Sequence, residues 1–140
     1  MNSIKVSSTS SQYRQDITVG DKFNLTADQP LELNGDDAGP TPMELLMASL
    51  GSCKTITIKM YAERKGWELT KVDVELTYQK VNHKYEISSR LHLEGNLTDE
   101  QRQRLLQLAD KCPVHKLIKS EAKIETILID SQSEKQLFES

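Results

Sequence analysis

Apolar and polar positions alternate through the first thirty residues. Ile4-Lys5-Val6, Tyr13 to Val19 and Phe23 to Ala27 predict short strands, the last two flanking Gly20-Asp21, a pair suited to a tight turn. From Pro30 to Gly39 the turn formers Asn34-Gly35-Asp36-Asp37 and Gly39-Pro40 predict a surface loop. At Thr41-Pro42 the period changes. Thr41 can cap and Pro42 suits a first helical position, so a helix is expected from Pro42 to about Lys65, stopping at Gly66. Its apolar positions (Met43, Leu45, Leu46, Met47, Ala48, Leu50, Ile56, Ile58, Met60) wrap most of its girth, and small residues from Ala48 to Cys53 fill the middle. Such a helix is expected to be central, buried on most sides and closely approached by another segment.

Val72, Val74, Leu76 and Tyr78 alternate with polar neighbours, and Tyr85, Ile87, Leu91 and Leu93 repeat the pattern. Asn82-His83-Lys84 joins the two as a hairpin. Thr98 with Gln101 three residues on forms a capping box for a second helix, in which Leu105, Leu108, Ala109 and Cys112 fall on one stripe. Pro113 ends that helix and can start a short one to Lys119. Ala122 to Asp130 reads as a last strand, and Ser131 to Ser140 as a mobile tail. The order βββ-α-ββ-α-β, with hairpin connections, predicts an α+β fold with antiparallel sheets in one domain spanning residues 1–140.

Composition narrows the function classes. Hydrophobic residues make up 36% of the 140, and Leu, Ile, Val and Phe make up about a quarter, enough to fold but thin for a monomer. A partner subunit that completes the burial is therefore expected. The net charge of −3 gives no basic excess for nucleic acid. No apolar run approaches a membrane span, and Met1 to Ser10 has no apolar leader core, so the expected setting is the cytoplasm.

There, two cysteines far apart in sequence are expected as thiols. Cys53, mid-helix, is either a small core residue or a thiolate nucleophile, the latter needing a cation or donors to lower its pKa from about 8.5. Cys112, before Pro113, caps the short helix with Lys111 and His115 within a turn. Position alone makes Cys112 the more acidic thiol. Cys112-x-x-His115 with Cys53, His83 or His92 is too sparse for a metal site, and no phosphate loop is present, so neither metal nor cofactor is expected. Trp67 reads as a lid on the core, and Arg64, Lys65 and Lys71 as a solvated basic face.

The segments Gly39-Pro40-Thr41-Pro42-Met43-Glu44-Leu45-Leu46-Met47-Ala48-Ser49-Leu50-Gly51-Ser52-Cys53 and Ala109-Asp110-Lys111-Cys112-Pro113-Val114-His115-Lys116-Leu117 together resemble the family of the osmotically induced protein OsmC and the organic hydroperoxide resistance protein Ohr. The resemblance implies an intertwined homodimer, sheets wrapped around a long central helix, and thiol peroxidase chemistry in stress defence. Cys53 would then be oxidised to a sulfenic acid by an organic hydroperoxide, Cys112 would resolve it, and an external dithiol, a lipoyl group or small thiol, would reduce the pair. That reverses the ranking by position, since the peroxide-reactive thiol matches Cys53. Met43 stands where the peroxidases carry a carboxylate, with Glu44 one residue on, and Arg14 is the candidate for their activating arginine. The alternative is a non-catalytic dimer that takes a small apolar ligand in a pocket lined by Met43, Met47, Leu50 and Pro113.

Overall fold

The computed structural model describes residues 3–129 and the backbone of residues 134–139. Its elements are β1 (Ile4–Ser8), β2 (Gln15–Val19), β3 (Phe23–Ala27), α1 (Pro42–Lys65), β4 (Glu68–Val81), β5 (Lys84–Asn96), α2 (Asp99–Ala109), α3 (Pro113–Lys119), β6 (Ile124–Ile129) and β7 (Glu134–Glu139). The α+β class and antiparallel pairing agree with the sequence pattern. The chain folds as two units interleaved in sequence, residues 1–52 with 73–92 and residues 53–72 with 93–140.

In the first unit β1, β2 and β3 form an antiparallel sheet in that order. The register aligns Ile4 with Val19 and Val6 with Ile17, and then Val19 with Phe23 and Ile17 with Leu25. Strand alternation therefore gathers all six apolar side chains on one face. This chain leaves that face largely uncovered: Ile4, Val6, Phe23 and Leu25 are all exposed.

The loop after β3 is organised by Asp28, which is buried. Its carboxylate accepts the N–H groups of Gln29 (2.7 Å), Asp36 (3.2 Å) and Ala38 (3.1 Å), tying both ends of the loop to one point. Burial pushes the Asp28 carboxyl up, but these three donors, with the charge of Arg14, bring it below the usual carboxylate value.

Helix α1 starts with a capping box. The Thr41 hydroxyl accepts the Glu44 N–H at 3.2 Å, and the Glu44 carboxylate accepts the Thr41 N–H at 2.9 Å. Gly51 is buried because a side chain there would press on Leu76, whose Cδ1 would lie 2.7 Å from an added Cβ. β4 and β5 turn at Asn82 and His83, both with positive φ as a two-residue hairpin of the primed type requires.

In the second unit α1 ends at Gly66, whose φ of +71° is the left-handed geometry of a helix stop. Trp67 then packs edge-on against Tyr61 with centroids 5.4 Å apart. Arg64 and Lys65, expected as a plain solvated face, lie over the Tyr61 ring. The Thr98–Gln101 capping box forms as the sequence predicts and starts α2. Ile58, Ala62, Leu105, Leu108, Ala109 and Cys112 make the buried core of this unit.

Three expectations change. β4 begins four residues before Val72, because Glu68-Leu69-Thr70-Lys71 continue the strand. Helix α1 is not buried around its girth within one chain. Its buried stripe is Met47, Leu50, Gly51, Lys54, Ile58 and Ala62, while Leu46, Ile56 and Met60 remain exposed, since the chain supplies cover for one flank alone. Finally, Glu134–Glu139 pair antiparallel with β6, Ile124 opposite Glu139 and Ile129 opposite Glu134, where a tail was expected. The rest of that tail, residues 131–133 and 140, lies outside the described residues.

Candidate functional site

Cys53 and Cys112, 59 positions apart, belong to the same unit and stand near enough for each thiol to act on the other. Both are free, Cys53 half-buried on α1 and Cys112 fully buried. Cys112 reaches this place by two local rules. It continues the Leu105–Leu108–Ala109 stripe of α2, and it is the N-cap of α3 ahead of Pro113, its sulfur accepting the His115 N–H at 3.4 Å.

That cap does not make Cys112 the acidic thiol. Burial pushes its pKa above the usual thiol value, and the neighbouring Cys53 adds to the rise. The His115 N–H and the charge of Lys54 pull the other way without reversing it. The expectation from the helix start is corrected by desolvation, which a sequence position does not reveal.

The cation beside the pair is one the sequence reading did not single out. Lys54 follows Cys53 directly, yet only 2% of its side chain is exposed. Its ammonium donates to the Ala109 carbonyl (2.9 Å), to Asp110 Oδ1 (3.3 Å) and to His115 Nδ1 (3.0 Å). Three protons meet three acceptors. With an ammonium as the donor, the contact is a hydrogen bond in the tautomer that leaves His115 Nδ1 unprotonated. Burial and the charge of Lys54 accordingly hold the His115 pKa below its ordinary value, against the pull of Asp110. A signal for Lys54 was present in the sequence: Leu50, Lys54 and Ile58 share one helical stripe, which places a charge where the pattern demands an apolar residue.

The other predicted site residues are divided between the two units. Arg14, Met43, Glu44, Met47 and Leu50 belong to the first unit and Pro113 to the second. Arg14 contributes its charge at Asp28. Glu44 is engaged in the capping box of α1. Met47 and Leu50 are buried, Met43 is half-buried and Pro113 is exposed. Met47 and Glu44 line a groove of about 430 Å³ with Leu76, Thr77 and Tyr78. Among the described residues, no group of three or more His, Cys, Asp or Glu side chains could hold a metal ion, and no helix is long and apolar enough to cross a membrane.

Residues 35–127 match the family model described as OsmC-like protein. The chain belongs to the OsmC-like family. The OsmC-like fold is shared with solved structures at low identity. An OsmC-like protein of Mycoplasma pneumoniae superposes with a TM-score of 0.73 at 17% identity, covering 86% of this chain and 88% of that one. The organic hydroperoxide resistance protein OsmC of Legionella pneumophila gives 0.65 at 20% identity, covering 86% and 90%. The organic hydroperoxide resistance protein OhrB of Bacillus subtilis gives 0.59 at 17% identity, covering 86% and 91%. No curated protein sequence matches this OsmC-like chain.

Proposed function

We propose that this OsmC-like protein is a thiol-dependent peroxidase of stress defence that reduces organic hydroperoxides to alcohols. The observation that carries the reading is that Cys53 and Cys112, distant in sequence, are neighbours in one unit, where the first acts on the thiol of the second. Cys53, the more accessible sulfur, attacks the terminal oxygen of the hydroperoxide. The O–O bond breaks, the alcohol leaves, and Cys53 becomes a sulfenic acid. Cys112 then attacks that sulfur, an S–S bond forms, and the sulfenic oxygen leaves as water with the thiol's proton. An external dithiol, a lipoyl group or a small thiol, returns the pair to the reduced state. The hydroperoxide resistance proteins that share the fold support this substrate class.

Cumene hydroperoxide added to the reduced protein at neutral pH should remove both free thiols within minutes, and Cys53→Ser should abolish the loss. An unchanged thiol count, or a Cys53→Ser variant that reacts as fast as the parent, rejects the peroxidase reading.

The working form proposed is a homodimer. The exposed apolar side chains of the β1–β2–β3 sheet and of the α1 flank carrying Ile56 and Met60 support this, since a second copy would take them out of water. Sedimentation at micromolar concentration should give about twice the 15.9 kDa chain mass, and a compact single-chain species would overturn the dimer.

A second reading is a non-catalytic dimer holding a small apolar ligand. It is favoured by Glu44 serving as a cap, by Arg14 acting on Asp28, and by the groove beside Met47. Persistence of both thiols under peroxide would select it.

A further inference from the structure

The buried cation next to the thiols has no part in the reading above, and its placement is costly. An ammonium on the stripe between Leu50 and Ile58 gives up its hydration, whereas a methionine would fill the same space without that loss. Its carboxylate partner does not share the burial, since Asp110 is 72% exposed, so this is not a matched buried ion pair.

We propose that Lys54 is the positioning charge of the Cys53–Cys112 pair, fixed by Ala109, Asp110 and His115 so that its field favours the anionic form of Cys112. This rests on the reading of the two cysteines as a working dithiol. The charged and titratable groups around Cys112 come from each element that meets it. Cys53 and Lys54 stand on α1, Asp110 and Lys111 at the end of α2, and His115, Lys116 and Lys119 on α3. Lys111, Lys116 and Lys119 are exposed and screened by solvent, and His115 is kept neutral. Lys54 is thus the buried cation in the set, and its charge acts against the upward push of burial on the Cys112 thiol.

The consequence falls on the steps in which Cys112 carries charge. In disulfide closure its sulfur is the nucleophile. In reduction an external thiolate attacks the Cys53 sulfur, the S–S bond breaks, and its electron pair leaves on Cys112 as a thiolate beside Lys54.

The test uses alkylation of Cys112 by iodoacetamide across pH in the Cys53→Ser protein, with no peroxide present. Adding Lys54→Met or Lys54→Gln should move the midpoint up by about one unit or more, roughly a tenfold slower reaction at a fixed pH below it. Asp110→Asn, an exposed change that leaves the cation with less opposing charge, should move the midpoint down. An unmoved midpoint in Lys54→Met overturns the proposal. So does a Lys54→Gln protein that behaves like its parent, because the amide keeps donors but carries no charge. If both Lys54 variants fail to fold, Asp110→Asn decides, and an unmoved or raised midpoint there rejects the idea. A protein that ignores hydroperoxide yet shows these shifts defeats the peroxidase reading alone. Thiol loss to peroxide with unmoved midpoints defeats the role of Lys54 alone.

Discussion

Two buried charges, one in each unit of the chain, are satisfied in opposite ways. Asp28 is held by three backbone N–H groups, which neither titrate nor move independently of their loop. Lys54 is held by one carbonyl, one carboxylate and one imidazole, two of which change charge with pH. Asp28 is therefore a fixed clasp for residues 28–38. Lys54 is a responsive one, joined electrically to His115 and Cys112. The difference teaches that burial of a charge does not by itself mark a working site. The nature of the acceptors or donors around it does.

The largest expected effect separates the two clasps by stability. Asp28→Ala leaves three donors without their acceptor, whereas Lys54→Met returns the exposed Asp110 to water and strands one carbonyl and one ring nitrogen. Thermal melts should show a fall on the order of 5–10 °C for Asp28→Ala and about half of that for Lys54→Met. Equal losses, or the reverse order, would break the comparison.

A smaller effect separates them by pH. The folded state resists charging His115, whose pKa lies below the ordinary 6.5, while the unfolded chain takes up that proton freely. The unfolded state then binds more protons, so stability present above pH 6.5 is lost as pH falls from there toward the folded value. Asp28 also has a lowered pKa, from the ordinary 3.8, so its contribution persists until pH drops below that value. Urea midpoints at pH 7.5 and pH 5 should differ, and His115→Gln should flatten that difference while Asp28→Asn leaves it in place. A slope in this window that survives His115→Gln assigns it elsewhere.

Much of the fold was legible because it is set by local chemistry. The capping box of Thr98 and Gln101, the stop at Gly66, the turn at Asn82-His83 and the break at Cys112-Pro113 each depend on a few neighbouring residues. The same Thr-x-x-Glu signature stands at Thr41 and Glu44, where the carboxylate serves the start of α1. What was hidden depends on distant partners. Lys54 finds its acceptors 55 to 61 positions away, so its stripe position could raise a question but not answer it. The acidity expected of Cys112 came from a helix start, and tertiary burial outweighed it. Apolar content could show that α1 needs cover all round, but not which flank its own chain covers. The strand β7 depends on register with β6, which no periodicity within six residues discloses.

The threefold anchoring of Lys54 also limits what it can contribute. Every N–H of that ammonium is already committed, so it has no hydrogen to surrender without first letting go of a neighbour. It shapes the electrical landscape as a bystander. A proton that reaches or leaves the sulfurs therefore travels by a route other than this side chain.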